Sequence, residues 1–358
     1  MMRKLALLAY FVFASLLTAG AQEVKNIILL IGDGMGLAPV AMMQLESHYE
    51  GTIFDRAENI ALQRTWSLDN RVTDSAASGT ALATGHKTNN TYLGVTTEGE
   101  PLESLTALAS RQGMATGIVA TTYLQHATPG AFYAHSITRH DTPLITRQLT
   151  ASHLDVAIGG GMAPFREVYG SDEDVHRVLN EHGFGLVRSL DALSMEDGSQ
   201  RVMALVADWD MGADSGDYLA RATAEALRLM DLRDQDNGFV LMVEGSLIDG
   251  MGHGNDARAM QLEMRGFMDA VEVAVEYASK RPGTLVVVTA DHDTGAMGIV
   301  SSNADFNLSE QGVEYRFATD GHSAEMVPIY LYGTGAEHIN GIMENSELGQ
   351  RLKELITR

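Results

Sequence analysis

Four carboxylates and three imidazoles stand where the chain changes character. Asp33 follows the apolar run NIILLIG, Glu244 closes GFVLMVEG with Asp249 just after it, and Asp291 closes TLVVVTAD with His292 next in line. In EGSLIDGMGHGND, Asp249 and His253 are spaced i, i+4, which places them on one face of a helix. If that segment is instead a glycine-broken loop, the two can still converge. His322 in DGHSAE adds a further imidazole. Mixed imidazole and carboxylate donors suit zinc, and all-oxygen sets suit magnesium. A lone histidine is ordinarily a surface or core residue, and His48, His140, His153, His176, His182 and His338 are read that way. Acids at three strand ends are a different matter. Carboxylates gathered there repel one another by roughly 1–4 kcal/mol per pair at contact distance. Divalent cations would relieve that repulsion and reverse the local field, so that an acidic protein could still hold an anion.

A nucleophile is available in VTDSAASG (72–79), which opens a helical pattern. Thr73 or Asp74 can cap it, which puts Ser75 in the first turn. A helix start presents N–H groups and the positive end of its dipole to an anion. A nearby metal would hold the Ser75 oxygen as an alkoxide. Ser78 lies one turn further in and is read as a packing or supporting residue. Taken alone, Asp-Ser at a helix start is a cap and nothing more.

The elements that must position these residues follow a regular alternation. Apolar runs at 26–32, 116–121, 156–161, 201–208, 238–245, 284–291 and 327–333 are separated by helical patterns at 37–48, 75–84, 142–151, 216–233, 257–280 and 345–357. Continuous apolar strands with intervening helices predict an α/β fold, a mostly parallel central sheet with helices on both faces. Ligands of open α/β sheets bind at the carboxyl ends of the strands, where the acids fall. No linker is visible, so residues 22–358 read as one catalytic domain, with 295–322 as a loop or small insertion.

Composition narrows the function. The first 21 residues read as a secretory signal: Arg3 and Lys4, an apolar run, then Ala19-Gly20-Ala21 before a cleavage point. Export to the periplasm or the medium is therefore expected, with no stable membrane insertion. The chain has no cysteine, so neither disulfides nor lipid acylation enter. A net charge of −22 disfavours nucleic acid and anionic membranes as partners. Thirty-six glycines against seven prolines fit either cold adaptation or a glycine-dense site.

Taken in order, IGDGMG, VTDSAASGTALATG, LQHATPGAFYAHSITR, VEGSLIDGMGH, TADHDTG and GHSAEMVPIYLYG resemble the blocks of the alkaline phosphatase family, over about residues 25–335. The resemblance implies hydrolysis of small-molecule phosphate monoesters through a phosphoserine on Ser75. It implies two zinc ions, one held by Asp249, His253 and His322 and one by Asp33, Asp291 and His292. It implies a third metal, usually magnesium, reached by Asp33, Thr128 and Glu244. Arg139 matches the arginine that grips phosphate, and a homodimer follows by analogy. Two positions depart from the best-known bacterial pattern. His126 stands where that form has an aspartate, and either touches the third metal or orients what surrounds it. Gly250 stands where it has a lysine. A related phosphodiesterase and a non-catalytic metal-binding protein are the alternatives. A sulfatase would need a Cys/Ser-x-Pro-x-Arg context, which DSAASG lacks.

Overall fold

A computed structural model of the chain describes residues 23–212, 215–233, 236–301 and 312–357. The export-signal segment, 1–21, lies outside the described residues, as does 302–311 within the expected insertion. The strands are β1 (Asn26–Gly32), β2 (Asn59–Arg64), β3 (Ala115–Tyr123), β4 (Val156–Gly160), β5 (Phe184–Val187), β6 (Arg201–Leu205), β7 (Phe239–Gly245), β8 (Thr284–Thr289), β9 (Asp293–Thr294), β10 (Met297–Ser301), β11 (Val313–Phe317), β12 (His322–Ser323), β13 (Val327–Gly333) and β14 (Gly341–Glu344). Ten of them form one sheet in the order β14-β2-β13-β8-β1-β7-β3-β4-β6-β5. Every pairing in it is parallel except those of β13, which runs antiparallel to both β2 and β8. The seven apolar runs of the sequence are strands of this sheet. The half-exposed β2 and the short β5 and β14 complete it.

The sheet is covered on both faces, and β1 shows why its sequence has no polar alternation. Ile27, Leu29 and Ile31 enter one core, while Ile28 and Leu30 enter the other. Successive side chains of a strand point to opposite faces, so a strand buried on both sides must be apolar throughout. The helices used below are α1 (Ser75–Thr84), α2 (Ala127–Gly130), α3 (Tyr218–Arg233), α4 (Leu247–His253), α5 (Ala257–Lys280) and α6 (Asn345–Ile356). In α5, Met260, Met264, Phe267, Val271 and Ala274 recur every three or four residues and pack into the second core, alongside Ala222, Ala226 and Met230 of α3. Asp256 caps α5 by accepting from the Ala259 N–H. On the opposite face Leu82 of α1 and Leu348, Leu352 and Leu355 of α6 fill the first core.

Residues 295–322 contain an antiparallel pair, β10 with β11, beside a second short pair, β9 with β12. The second pair aligns His322 with Thr294 and so returns the chain to the ends of β8 and β1.

Candidate active site

β8, β1 and β7 are adjacent, and their carboxyl ends deliver Asp291, Asp33 and Glu244 side by side. All three carboxylates are fully buried. Asp33 Oδ1, Asp291 Oδ2 and both Glu244 oxygens lack any hydrogen-bond donor. An orphaned buried carboxylate is costly unless a cation compensates it. Burial, reinforced by the Asp291, Asp249 and Glu244 charges, raises Asp33 well above the usual carboxylate range. Burial and the Asp249 charge push Asp291 up to about 7, and burial with the Asp291 charge pushes Glu244 up to about 8. Such groups hold protons in a metal-free chain and exchange them for metal ions.

Three groups of potential ligand atoms result, each with all atoms within 4.8 Å of one another: Asp33, Asp291 and His292; Asp249, His292 and His322; and Asp33, His126 and Glu244. The donors fit divalent metals: two carboxylates and one imidazole in the first and third groups, one carboxylate and two imidazoles in the second. The first two share His292 and are the two mixed groups that meet beside Ser75. His292 Nε2 lies 3.1 Å from Asp291 Oδ2 and 3.5 Å from Asp33 Oδ1. Burial and the neighbouring His322 depress the basicity of the His292 ring, which stacks on His322 at 3.6 Å. Asp249 and His253 share a face of α4, with His253 Nε2 3.3 Å from Asp249 Oδ2. Burial alone would raise Asp249, but the His253 contact and the His292 and His322 rings hold it well below the usual range. The Asp249 hydrogen bond in turn lifts His253 to about 9. His253 is the outermost of the expected ligands, 43% exposed in its side chain, and anchors Nδ1 against the Asp320 carbonyl. His322 anchors its own Nδ1 on the Thr73 carbonyl. Thr128, in α2, lies 3.5 Å from Asp33 Oδ2.

Ser75 is the first residue of α1, and Asp74 is its cap, accepting from the Ala77 N–H. Ser75 Oγ is 3.2 Å from His292 Nε2 and nearly fully buried. Ser78 faces elsewhere: its hydroxyl donates to the Asp291 carbonyl at 2.6 Å and accepts from Asn345 of α6. It thereby braces the strand end that carries two ligand candidates.

The same Asp74 also accepts from the Thr91 N–H, and it has a further partner that its place in the sequence does not reveal. Its Oδ2 accepts from Arg139 Nη1 at 3.2 Å, while Arg139 Nη2 lies 3.0 Å from His126 Nε2. Arg139 thus sits between the helix cap and the third group, at the edge of a cavity of about 350 Å³ lined also by Tyr123, Thr91 and His140. Burial and the Arg139 charge push His126 down to about 3, which keeps it neutral, and its Nδ1 has no partner. Gly250 lies in α4 with nothing within 4 Å of where a side chain would begin.

The alkaline phosphatase family model matches residues 24–311. The chain belongs to the alkaline phosphatase family. It is 30% identical to the alkaline phosphatase of Escherichia coli over 93% of this chain and 86% of that one. It is 34% identical to alkaline phosphatase 4 of Bacillus subtilis over 77% of this chain, and that match spans 63% of the longer relative. Among solved structures, the alkaline phosphatase of the Antarctic bacterium TAB5 superposes with a TM-score of 0.85 at 32% identity, covering 94% of this chain and 98% of that one. That of a psychrophilic Shewanella gives 0.84 at 27% identity, covering 93% and 100%. The fold of this family is the mixed α/β architecture described above, with the large, mostly parallel sheet at its centre.

Proposed function

We propose that the chain hydrolyses phosphate monoesters through a phosphoserine on Ser75. The observation that carries this reading is Ser75 Oγ at a helix start, 3.2 Å from an imidazole shared by two ligand groups. Ser75 attacks phosphorus in line with the leaving oxygen, and the alcohol departs as Ser75 becomes phosphorylated. Water then attacks the phosphoserine on the same axis, releasing inorganic phosphate and restoring the hydroxyl. Zinc bound at the two mixed groups would supply positive charge for the attacking and leaving oxygens. Arg139 offers a two-pronged guanidinium to the non-bridging oxygens, and Asp74 fixes the direction from which it does so. Spontaneous monoester hydrolysis is among the slowest reactions known, with enzymatic accelerations up to ~10²¹-fold. Charge stabilisation and positioning must therefore act together.

Asp249, His253 and His322 are proposed to hold one zinc, and Asp33, Asp291 and His292 the other. Glu244, Asp33 and Thr128 are proposed to face the third ion, with His126 as a direct ligand through Nδ1 once Arg139 turns from His126 Nε2 to the phosphate and the ring's proton moves to Nε2. Two solved forms of the TAB5 enzyme, histidine-to-aspartate and histidine-to-glutamate variants, are described with magnesium in their M3 site. A nitrogen donor favours zinc over magnesium. His126→Asp should therefore raise the magnesium content of this protein at equal free zinc, measured by elemental analysis. The leading segment of the sequence supports export as the setting for this activity.

One panel tests the function: nitrophenyl phosphate, its bis-nitrophenyl diester and nitrophenyl sulfate, each with and without chelator. Chelator-sensitive turnover of the monoester well above the other two is expected. Faster diester turnover would move the chain to a different reaction class. No turnover with zinc and magnesium restored would leave a binding protein.

A further inference from the structure

Thr294 occupies the point where the two mixed ligand groups meet. It is fully buried at the end of β9 and pairs across to His322. Its N–H donates to the Gly34 carbonyl. Its hydroxyl donates to Asp249 Oδ1 and lies 3.2 Å from His292 Nδ1. The proton positions follow from donor arithmetic. A carboxylate only accepts, so the single hydroxyl proton of Thr294 goes to Asp249. The remaining lone pairs of that oxygen can only accept, so His292 Nδ1 must carry the proton between them. Nε2 is then the bare nitrogen, and it faces Asp291 Oδ2 at 3.1 Å, Asp33 Oδ1 at 3.5 Å and Ser75 Oγ at 3.2 Å. The same hydrogen bond occupies Oδ1 of Asp249, whose Oδ2 turns to His253.

Two backbone segments close tightly on Thr294. A side chain on Gly34 would begin 2.9 Å from Thr294 Oγ1, and one on Gly252 would begin 2.9 Å from its methyl carbon. Both glycines are thus required by the close approach of their backbones to this residue.

We propose that Thr294 is a positioning residue that couples the two mixed metal groups, one hydroxyl orienting Asp249 in the first and His292 in the second. This rests on the zinc reading given above. Partners that orient metal ligands typically contribute 10–100-fold in metal affinity. Thr294→Val keeps the shape and removes the hydroxyl, whereas Thr294→Ser keeps the hydroxyl. In zinc competition against a chromophoric chelator, Thr294→Val should weaken zinc binding at both groups by about 10–100-fold, and Thr294→Ser should recover most of it. Loss at one group only, no loss, or equal loss in the serine variant would overturn the coupling. Nitrogen-15 NMR of the zinc-loaded wild type, with the His292 signal assigned by His292→Asn, reads the tautomer without relying on the valine variant. A protonated Nδ1 is expected, and a protonated Nε2 would overturn the proposal. A wild-type chain that binds no zinc would sink the metal reading and this one together. Normal zinc binding with an unaltered valine variant would sink this one alone.

Discussion

Two serines three residues apart in α1 have opposite surroundings, and that difference decides what their removal should do. Ser75 faces His292, whereas Ser78 ties α1 to the Asp291 carbonyl and to Asn345. Ser75→Ala is expected to abolish the labelled phosphoenzyme with no loss of melting temperature. Ser78→Ala should retain turnover while losing roughly 1–3 kcal/mol of stability, because buried polar partners are stranded. Chemical denaturation of both variants checks the stability half, and the reverse ranking would show that the wrong serine was assigned. Arg139 is a second case in which distance in the chain conceals a pair. Arg139→Ala should raise KM for phosphate esters and weaken inhibition by inorganic phosphate. Asp74→Ala should do the same to a lesser degree and also cost about 0.5–2 kcal/mol through the lost helix cap. Phosphate inhibition unchanged in Arg139→Ala would remove that residue from the site.

At the scale of elements, the site depends on how closely segments approach. Gly34 follows β1 with φ of +74°, a conformation that side chains rarely adopt, and an added carbon would press on the Asp249 backbone at 2.9 Å. Gly34→Ala is therefore expected to lose roughly 1–3 kcal/mol from the backbone conformation alone, and zinc affinity with it. Equilibrium unfolding with and without chelator separates the two losses. Gly250 in α4 is the opposite case, with open space around its α-carbon. Gly250→Lys should leave the melting temperature unchanged and tighten phosphate inhibition by on the order of tenfold, the size of a hydrogen bond to a charged group. A large drop in melting temperature would show that α4 does not tolerate the side chain.

For the whole molecule, the ends of β8, β1 and β7 concentrate like charge in a protein that has no disulfide to hold it. Metal removal should therefore lower the melting temperature as well as stop turnover. Its pH dependence has a definite sign. Asp291 and Glu244 hold their protons in the folded, metal-free chain up to about pH 7 and about pH 8. In the unfolded chain such groups ionise near ~4. The folded state thus binds more protons across that window. The stability these two groups contribute is fully present below ~4 and is lost as pH rises through their folded pKa values. The chelated protein should melt lower at pH 9 than at pH 6, whereas the zinc-loaded protein should gain from deprotonated ligands over the same range. Scanning calorimetry at the two pH values decides it, and equal melting temperatures for the chelated form would count against these buried carboxyls. Among the described residues no helix is long and apolar enough to cross a membrane.

The sequence alone determined the residue types and their local settings. Apolar runs ending in acid, a helix opening on Asp-Ser, and the i, i+4 pair Asp249 and His253 all follow from short-range periodicity. That periodicity reflects burial on two faces, and so the α/β class was legible as well. The direction of β13 was not, since an apolar run is the same for a parallel or an antiparallel strand. Nor were the short strands β5 and β14, which carry too few residues to show a pattern. The tertiary structure alone decided the contacts between residues far apart in the chain. It set Arg139 against Asp74 and His126, and laid the Thr294 hydroxyl between Asp249 and His292. Thr294 lies within the quoted motif TADHDTG, yet no spacing rule singles it out. Its part depends on β9 and β12 folding back over the ends of β8 and β1, a matter of packing and not of local sequence.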